Sequence, residues 1–163
     1  AVGVQVAHPK KLVIDVAGEA SILMTMQEIS TAIQYNLPIK IFILNNQYMG
    51  MVRQWQELLH EKNYSESYSE ALPDFVQLAE AYGCVRIRAE TPDELDEKIQ
   101  EMIDIDKPVI FDCHVDQAEN CFPMIPSGKP HNQMLLGPKD QEENKITGKG
   151  LSLIHISEPT RRS

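Results

Sequence analysis

The sequence predicts an α/β fold, a doubly wound parallel sheet with helices on both of its faces. Apolar runs of strand length alternate with segments whose apolar residues recur at helical spacing, in the order β-α-β-α-α-β-α-β. The run at 39–44 is almost continuously apolar, which is typical of a parallel strand buried on both faces. Strands joined by a helical crossover in one sheet run parallel, so this alternation indicates a parallel sheet.

The first strand-helix-strand unit is predicted to comprise a strand over 12–16, a helix over 22–35 and a strand over 39–44. Ser21 is a good helix N-cap, and apolar residues recur at helical spacing behind it. Pro38 disfavours helical backbone at the residue before it, and therefore ends the helix.

The remaining elements follow from capping residues and breakers. Gly83 suits the position after a helix C-terminus, and Thr91 followed by Pro92 and Glu94 forms a helix start with a capping box. We predict helices over 51–59, 74–82 and 91–103, strands over 85–88 and 109–113, a surface loop over 61–70, and irregular structure beyond 116.

Polar residues follow the first two strands, at the point where each apolar run stops. Glu19 and Ser21 follow the first strand, and Asn45 and Asn46 follow the second. Carboxyl ends of parallel strands share one edge of the sheet, where ligands of open α/β sheets bind. A carboxylate, a hydroxyl and two amides are oxygen ligands suited to Mg²⁺ holding a phosphate ester. The start of the following helix favours phosphate as well.

The spacing makes this pattern more specific, because 24 residues (21–44) separate Ala20 from Asn45. It resembles the thiamine-diphosphate signature, in which Gly-Asp-Gly or Gly-Asp-Ala precedes Asn-Asn by about two dozen residues. Over residues 1 to about 150 the chain resembles the large catalytic subunit of acetohydroxyacid synthase (acetolactate synthase), and the expected fold is a thiamine-diphosphate-binding fold. The stretches that carry this resemblance are QYNLP at 34–38, NNQYMGMVRQWQ at 45–56, ALPDF at 71–75 and MLLGP at 134–138.

The resemblance implies roles for individual residues. The implied Mg²⁺ ligands are Glu19, Asn46 and the carbonyl of Tyr48, and the implied substrate-channel residues are Met51 and Trp55. Core packing is the ordinary alternative for that apolar pair, and helix capping is the alternative for Ser21. The implied cofactor-binding residues are Gly18, Ala20, Ser21, Asn46, Met49 and Gly50.

Glu19 departs from the family pattern, which has Asp at this point. Glu is one methylene longer, and Mg²⁺ demands near-ideal octahedral geometry. We therefore expect weakened metal and cofactor affinity. Arg53 has two open interpretations, a group that steers substrate carboxylates or a solvent-facing helix position.

The function implied by the resemblance is the condensation of pyruvate with pyruvate or 2-oxobutyrate, in branched-chain amino-acid biosynthesis. The implied cofactors are thiamine diphosphate and Mg²⁺, with FAD in the full-length enzyme. No catalytic residue is expected in this chain, since the activating Glu belongs to a pyrimidine-binding domain that also forms the homodimer. The chain alone is therefore expected to be inactive, and a small regulatory subunit is an implied partner.

Three other functions compete with this one. A different thiamine-diphosphate enzyme, such as a pyruvate oxidase or a 2-oxo acid decarboxylase, would share the signature but not the stretch at 47–56. A non-catalytic binding module with an impaired metal site would explain Glu19. A dinucleotide-binding Rossmann domain is disfavoured, because the chain lacks the Gly-x-Gly-x-x-Gly loop.

Composition and the two ends of the chain set the remaining expectations. The formal net charge of −9 without basic clusters argues against nucleic acid, and the apolar runs are too short for a membrane span. Three cysteines without paired spacing fit a reducing, cytoplasmic compartment. We expect residues 1–150 to be one C-terminal thiamine-diphosphate and magnesium-binding domain, truncated at its N-terminus. Residues 151–163 resemble a translated sequencing adapter, with a genuine disordered tail as the alternative.

Overall fold

The computed structural model describes residues 1–137 and confirms the predicted order of strands and helices. The predicted domain end at 150 and the predicted tail at 151–163 lie outside these residues and stay predictions. Four strands form the sheet: β1 (Ile14–Gly18), β2 (Lys40–Asn45), β3 (Val85–Ala89) and β4 (Val109–His114). The α-helices are α1 (Val2–Ala7), α2 (Glu19–Thr25), α3 (Glu28–Gln34), α4 (Gly50–Leu59), α5 (Phe75–Tyr82) and α6 (Leu95–Asp104), and short 3₁₀ turns cover Pro92–Glu94 and His131–Gln133.

All strand pairs are parallel, in the order β1-β2-β4-β3. Residue Gly18 of β1 pairs with Leu44 of β2, and Asn45 at the end of β2 pairs with His114 at the end of β4. The carboxyl ends of three neighbouring strands therefore meet at one edge, as the sequence predicts.

Helices pack on both faces of the sheet, which confirms the doubly wound arrangement. On one face α2, α3 and α5 bury Ile29, Ala32 and Phe75 against Ile43 and other apolar residues of β2 and β4. On the other face α6 covers β3 and β4, and the rings of Phe42 and Phe111 lie 4.7 Å apart.

Burial on the second face is less complete over β1 than over β3 and β4, and Leu44 is the one exposed residue of the run at 39–44 that was predicted to be buried on both faces. Ile14 and Val16 of β1 and Leu44 of β2 are 42%, 63% and 42% exposed. They lie on the same face as Phe42, because the register pairs Val16 with Phe42 and Gly18 with Leu44. The cause is the position of α6, which packs on β3 and β4 rather than on β1 and β2.

The predicted helix over 22–35 with Ser21 as its N-cap is wrong in two respects. The helix begins at Glu19, with Gly18 in extended backbone (φ −81°, ψ 163°) as the N-cap. It also divides into α2 and α3, because Ile29 N–H and Ser30 N–H donate to carbonyls three residues earlier (3.0 and 3.2 Å), which tightens the chain at this point. The strands predicted at 12–16 and 39–44 begin two residues and one residue later than expected.

Helix ends set by local capping chemistry lie where the sequence predicts them. Asp74 caps α5 by accepting hydrogen bonds from Val76 N–H (2.9 Å) and Gln77 N–H (3.2 Å), and Gly83 follows the helix in the left-handed conformation (φ 83°). The Glu94 carboxylate accepts a hydrogen bond from the Thr91 N–H (3.0 Å), as a capping box requires.

The chain divides into two compact units. The first comprises Ala1–Gly50 and Glu66–Ala118 and contains the whole sheet. The second comprises Met51–Ser65 and the chain from Glu119 onward, described as far as 137. In the part of the chain that the structure describes, no helix is both long enough and apolar enough to cross a membrane.

Candidate functional site

The first strand passes directly into the next helix at the carboxyl edge of the sheet. Gly18 ends β1 and caps α2, so Glu19 becomes the first residue of the helix. The Glu19 side chain is turned inward and is only 1% exposed. A helix start that follows a strand without a loop thus buries a carboxylate at this edge.

The buried carboxylate of Glu19 has no hydrogen-bond partner of ordinary geometry on either oxygen. Burial raises the pKa of this carboxyl, the backbone N–H groups of Glu19 and Asn46 lower it in part, and the charge of Asp112 raises it. Native proteins rarely leave buried polar atoms unpaired, because each costs about 1–3 kcal/mol. The arrangement therefore fits a cation that would complete the coordination of these oxygens.

Asn45 and Asn46 shape the loop that follows β2. Gln47 N–H donates to Asn45 Oδ1 (3.3 Å), and Tyr48 N–H donates to Asn46 Oδ1 (3.1 Å), so each amide organises the backbone two residues on. Gln47 adopts positive φ (59°), which turns the chain sharply. A Cβ on Gly50 would lie 3.2 Å from Asn46 Nδ2, which makes glycine the residue that lets the helix start approach this amide.

A second segment holds the same loop from the side. Met49 N–H donates to the Ser67 carbonyl and Ser69 N–H donates to the Gln47 carbonyl, both at 2.8 Å, so that these bonds flank Tyr48. The rings of Tyr48 and Tyr68 lie 5.0 Å apart. Beside the loop lies a cavity of about 150 Å³, lined by Asn45, Asn46, Gln47, His114, Val115 and Gln117.

The other predicted cofactor-binding residues lie at the same edge with differing exposure. Ser21 is the third residue of α2 and is exposed, so its hydroxyl is free of the capping role that the sequence suggested. Ala20 is half-buried, and Met49 is 41% exposed. Their binding roles stay predictions.

Sequence reasoning missed a buried polar cluster centred on Asp112. This residue of β4 is 1% exposed, and its Oδ1 accepts a hydrogen bond from Asn45 Nδ2 (2.9 Å). Its Oδ2 accepts a hydrogen bond from Arg88 Nε (3.1 Å) and lies 3.3 Å from His114 Nε2. Arg88 also contacts Asp74 at the start of α5 (2.7 Å). The available signal was a charged residue inside an apolar strand.

The donor set at this edge suits a hard divalent ion. Among residues 1–137, no group of three His, Cys, Asp or Glu side chains is placed to hold a metal. A cation beside Glu19 would therefore take its other ligands from amide and carbonyl oxygens such as those of Asn46 and Tyr48, and from a phosphate or water. That oxygen set fits Mg²⁺, which commonly binds one or two carboxylates together with substrate phosphates.

The second unit carries the predicted substrate-channel residues on the outer face of α4. Met51 is 59% and Trp55 is 38% exposed, so neither packs in a core. They line a groove of about 980 Å³ together with Val52, Gln56, Leu59, His60, Glu61 and Asn63. The substrate-channel role of these residues stays a prediction.

Arg53 lies on the opposite, buried face of α4, so the solvent-facing interpretation is wrong. It is 3% exposed and pairs with Glu57 (2.6 Å). It also donates to the Glu119 carbonyl (2.8 Å) and to Asn120 Oδ1 (2.7 Å). These contacts engage the guanidinium within the unit, and the substrate-steering role stays a prediction.

Comparison with known proteins shows which family this chain resembles. The model of the thiamine pyrophosphate enzyme C-terminal TPP-binding domain matches residues 1–113. The acetolactate synthase large subunit of Haemophilus influenzae is 46% identical over 145 residues, which are 88% of this chain and 25% of that protein. The isozyme 3 large subunit of Escherichia coli is 42% identical over 144 residues, which are 86% and 25% of the two chains.

A solved structure agrees with the sequence comparison. The thiamine diphosphate-dependent 4-hydroxybenzoylformate decarboxylase of Rhodococcus jostii RHA1 matches with a TM-score of 0.65 and 28% identity, over 71% of this chain and 22% of that one. The chain spans about a quarter of the length of the curated relatives described above. The resemblance predicted from the sequence motifs is confirmed, and the chain belongs to the family of C-terminal TPP-binding domains of thiamine pyrophosphate enzymes.

Proposed function

We propose that this chain is the diphosphate- and magnesium-binding part of a thiamine-diphosphate-dependent acetolactate synthase. The observation that carries the proposal is the buried Glu19 carboxylate beside the loop that presents Asn46. Neither of its oxygens has a hydrogen-bond partner of ordinary geometry. The sequence relatives that support it are acetolactate synthase large subunits, 41–47% identical to this chain. The reaction is the condensation of pyruvate with pyruvate or 2-oxobutyrate.

In this proposal the residues at the sheet edge hold the metal and the diphosphate. Glu19, Asn46 and the Tyr48 carbonyl bind Mg²⁺. Gly18, Ala20 and Ser21 lie at the start of α2, where small side chains let a diphosphate approach the backbone N–H groups. Met49 and Gly50 flank the cofactor from the other loop. A side chain at position 50 would press on Asn46, since its Cβ would lie 3.2 Å from Asn46 Nδ2.

In this proposal the bound cofactor supplies the chemistry, and side chains of α4 contact the substrate. Thiamine diphosphate, when bound, supplies the chemistry by which a 2-oxo acid loses CO₂ and is joined to a second 2-oxo acid. The exposed apolar side chains of Met51 and Trp55 would contact the substrate or its path. FAD, a homodimer partner and a small regulatory subunit are proposed for the whole enzyme, in agreement with the relatives being large subunits.

The test is a chimera, because the relatives are about four times longer than the matched segment. The matching 145 residues of the Haemophilus influenzae large subunit are replaced by those of this chain. Acetolactate formation from pyruvate is followed with and without thiamine diphosphate, Mg²⁺ and FAD. A second chimera carries Glu19→Asp, the residue of the family pattern.

Each outcome separates the competing functions. Cofactor-dependent acetolactate from the Glu19 chimera supports the proposal. Release of CO₂ without acetolactate would favour a decarboxylase, such as the Rhodococcus enzyme, or an oxidase. No turnover with Glu19, together with full turnover after Glu19→Asp, would favour a binding module with an impaired metal site. Calorimetric titration of the 163-residue chain with Mg²⁺ and thiamine diphosphate measures the binding step alone.

A further inference from the structure

Asp112 lies on β4, which runs between β2 and β3, and its side chain contacts residues of both strands. It pairs in register with Ile43 of β2 and with Arg88 of β3. Its carboxylate is buried and accepts hydrogen bonds from both flanking strands, at 2.9 Å from Asn45 Nδ2 and 3.1 Å from Arg88 Nε. A buried carboxylate with this many donors is held in one orientation.

That fixed carboxylate decides how the Asn45 amide is oriented. A carboxylate oxygen only accepts, so the NH₂ end of Asn45 must face Asp112 Oδ1. The Oδ1 end of Asn45 then faces the Gln47 N–H, which donates to it at 3.3 Å. A flipped amide would bring two oxygens together at Asp112 and two donors together at Gln47. Asp112 therefore sets the hydrogen bond that starts the 45–48 turn.

We propose that Asp112 is a positioning residue for the proposed metal site, acting through Asn45 on the loop that presents Asn46 and Tyr48. Asp112 itself contacts no metal or substrate in this role. It orients Asn45, and Asn45 orients the backbone from which the two implied ligands extend. The expected effect of Asp112 on metal binding rests on the proposed function. Its effect on the conformation of the loop does not.

The test is a cycle of variants that reverses the hydrogen bond. Asn45→Asp places two carboxylates against each other, while Asp112→Asn places two amides there. The double variant Asn45→Asp with Asp112→Asn restores one donor and one acceptor, now reversed, and leaves an oxygen at residue 45 for the Gln47 N–H. Ile87→Val on the opposite face of the sheet is the control for a general loss of stability.

Two readouts are taken on the 163-residue chain. Amide hydrogen exchange by NMR, without metal, reports protection of the Gln47 and Tyr48 N–H groups. Calorimetry reports the affinity for Mg²⁺ at a fixed concentration of thiamine diphosphate. We expect Asn45→Asp to lower the amide protection and the Mg²⁺ affinity by about 10-fold or more each. A loss of this size is typical of a residue that orients a metal ligand. The double variant should recover both to within about 3-fold, and Ile87→Val should change neither beyond about 3-fold.

The outcomes distinguish this proposal from the proposed function. A double variant as impaired as Asn45→Asp, or a control as impaired as either, would overturn the positioning role. If the unmodified chain binds no Mg²⁺ with thiamine diphosphate, activity of the chimera still decides the proposed function, and the exchange measurement alone decides the role of Asp112. Rescue of loop protection without rescue of metal affinity would overturn the link from the loop to the metal site.

Discussion

Replacing Glu19 by Gln should stabilise the chain in the absence of metal. The native carboxyl group is 1% exposed, and neither oxygen has a hydrogen-bond partner of ordinary geometry. An unsatisfied buried polar group costs about 1–3 kcal/mol, and more when it is charged. Gln has nearly the same shape and its amide is equally buried, so the substitution removes only the cost of the charge. We expect Glu19→Gln to raise the free energy of unfolding by about 1–2 kcal/mol.

The gain should depend on pH in a defined direction. Burial raises the pKa of the Glu19 carboxyl above its ordinary value of 4.5, so the folded chain holds this proton more tightly than the unfolded chain. Below the ordinary value both states are protonated and the native chain carries no penalty. As the pH rises through the folded-state pKa, stability is lost. The advantage of Glu19→Gln should therefore be small below the ordinary pKa of 4.5 and should grow as the pH rises above it.

Urea unfolding, monitored by circular dichroism, measures the gain in stability and its pH dependence. Glu101→Gln on the exposed side of α6 is the matched control. The control should change stability by less than about 0.5 kcal/mol. Adding Mg²⁺ and thiamine diphosphate should reverse the order, since ligand at 100 times its dissociation constant stabilises the binding-competent chain by about 2.7 kcal/mol. A Glu19→Gln chain that is less stable than native at pH 7 without metal would refute the reasoning.

Three further predictions concern the loop, the core and the thiols. Gly50→Ala should leave the free energy of unfolding unchanged or higher, because Ala favours the helix. It should lower the Mg²⁺ affinity about 10-fold, because the added Cβ presses on Asn46. An unchanged Mg²⁺ affinity in calorimetry would contradict the close approach. Phe111→Ala, at a fully buried site, should cost about 3–5 kcal/mol in urea unfolding, and a loss under about 1 kcal/mol would contradict the assigned core. At pH 8 the exposed Cys121 should react with a disulfide reagent within minutes. Cys84, whose pKa burial raises to about 11, should react only after unfolding, and equal rates would exclude its burial.

Elements that depend on local chemistry were predictable from the sequence. The bounds of α5 follow from Asp74, which accepts two nearby N–H groups, and from Gly83, which adopts positive φ. The start of α2 was mispredicted because Gly18 and Ser21 are both acceptable N-caps. The choice between them depends on where β1 ends, and pairing with β2 decides that.

Side-chain environments that depend on distant partners were not predictable. Arg53 is buried because Glu119 and Asn120, 66 and 67 residues later, receive its guanidinium. Asp112 was visible as a charge in an apolar strand, but its partner Asn45 is 67 residues away. The sequence motifs located the edge of the sheet at which the candidate site lies, while the roles of Glu19 and its neighbours in binding stay predictions.

The two buried carboxylates at this edge differ in a way that bears on the site. Asp112 contacts donors from Asn45, Arg88 and His114, whereas Glu19 has no partner of ordinary geometry on either oxygen. A fully paired carboxylate stabilises one arrangement of its neighbours, and an unpaired one destabilises the fold until a cation neutralises it. The negative charge of Asp112 adds to the electrostatic cost of ionising Glu19 and so favours a divalent cation beside it. We therefore infer that Asp112 fixes the loop in advance of binding, so that the free energy of metal binding need not order it.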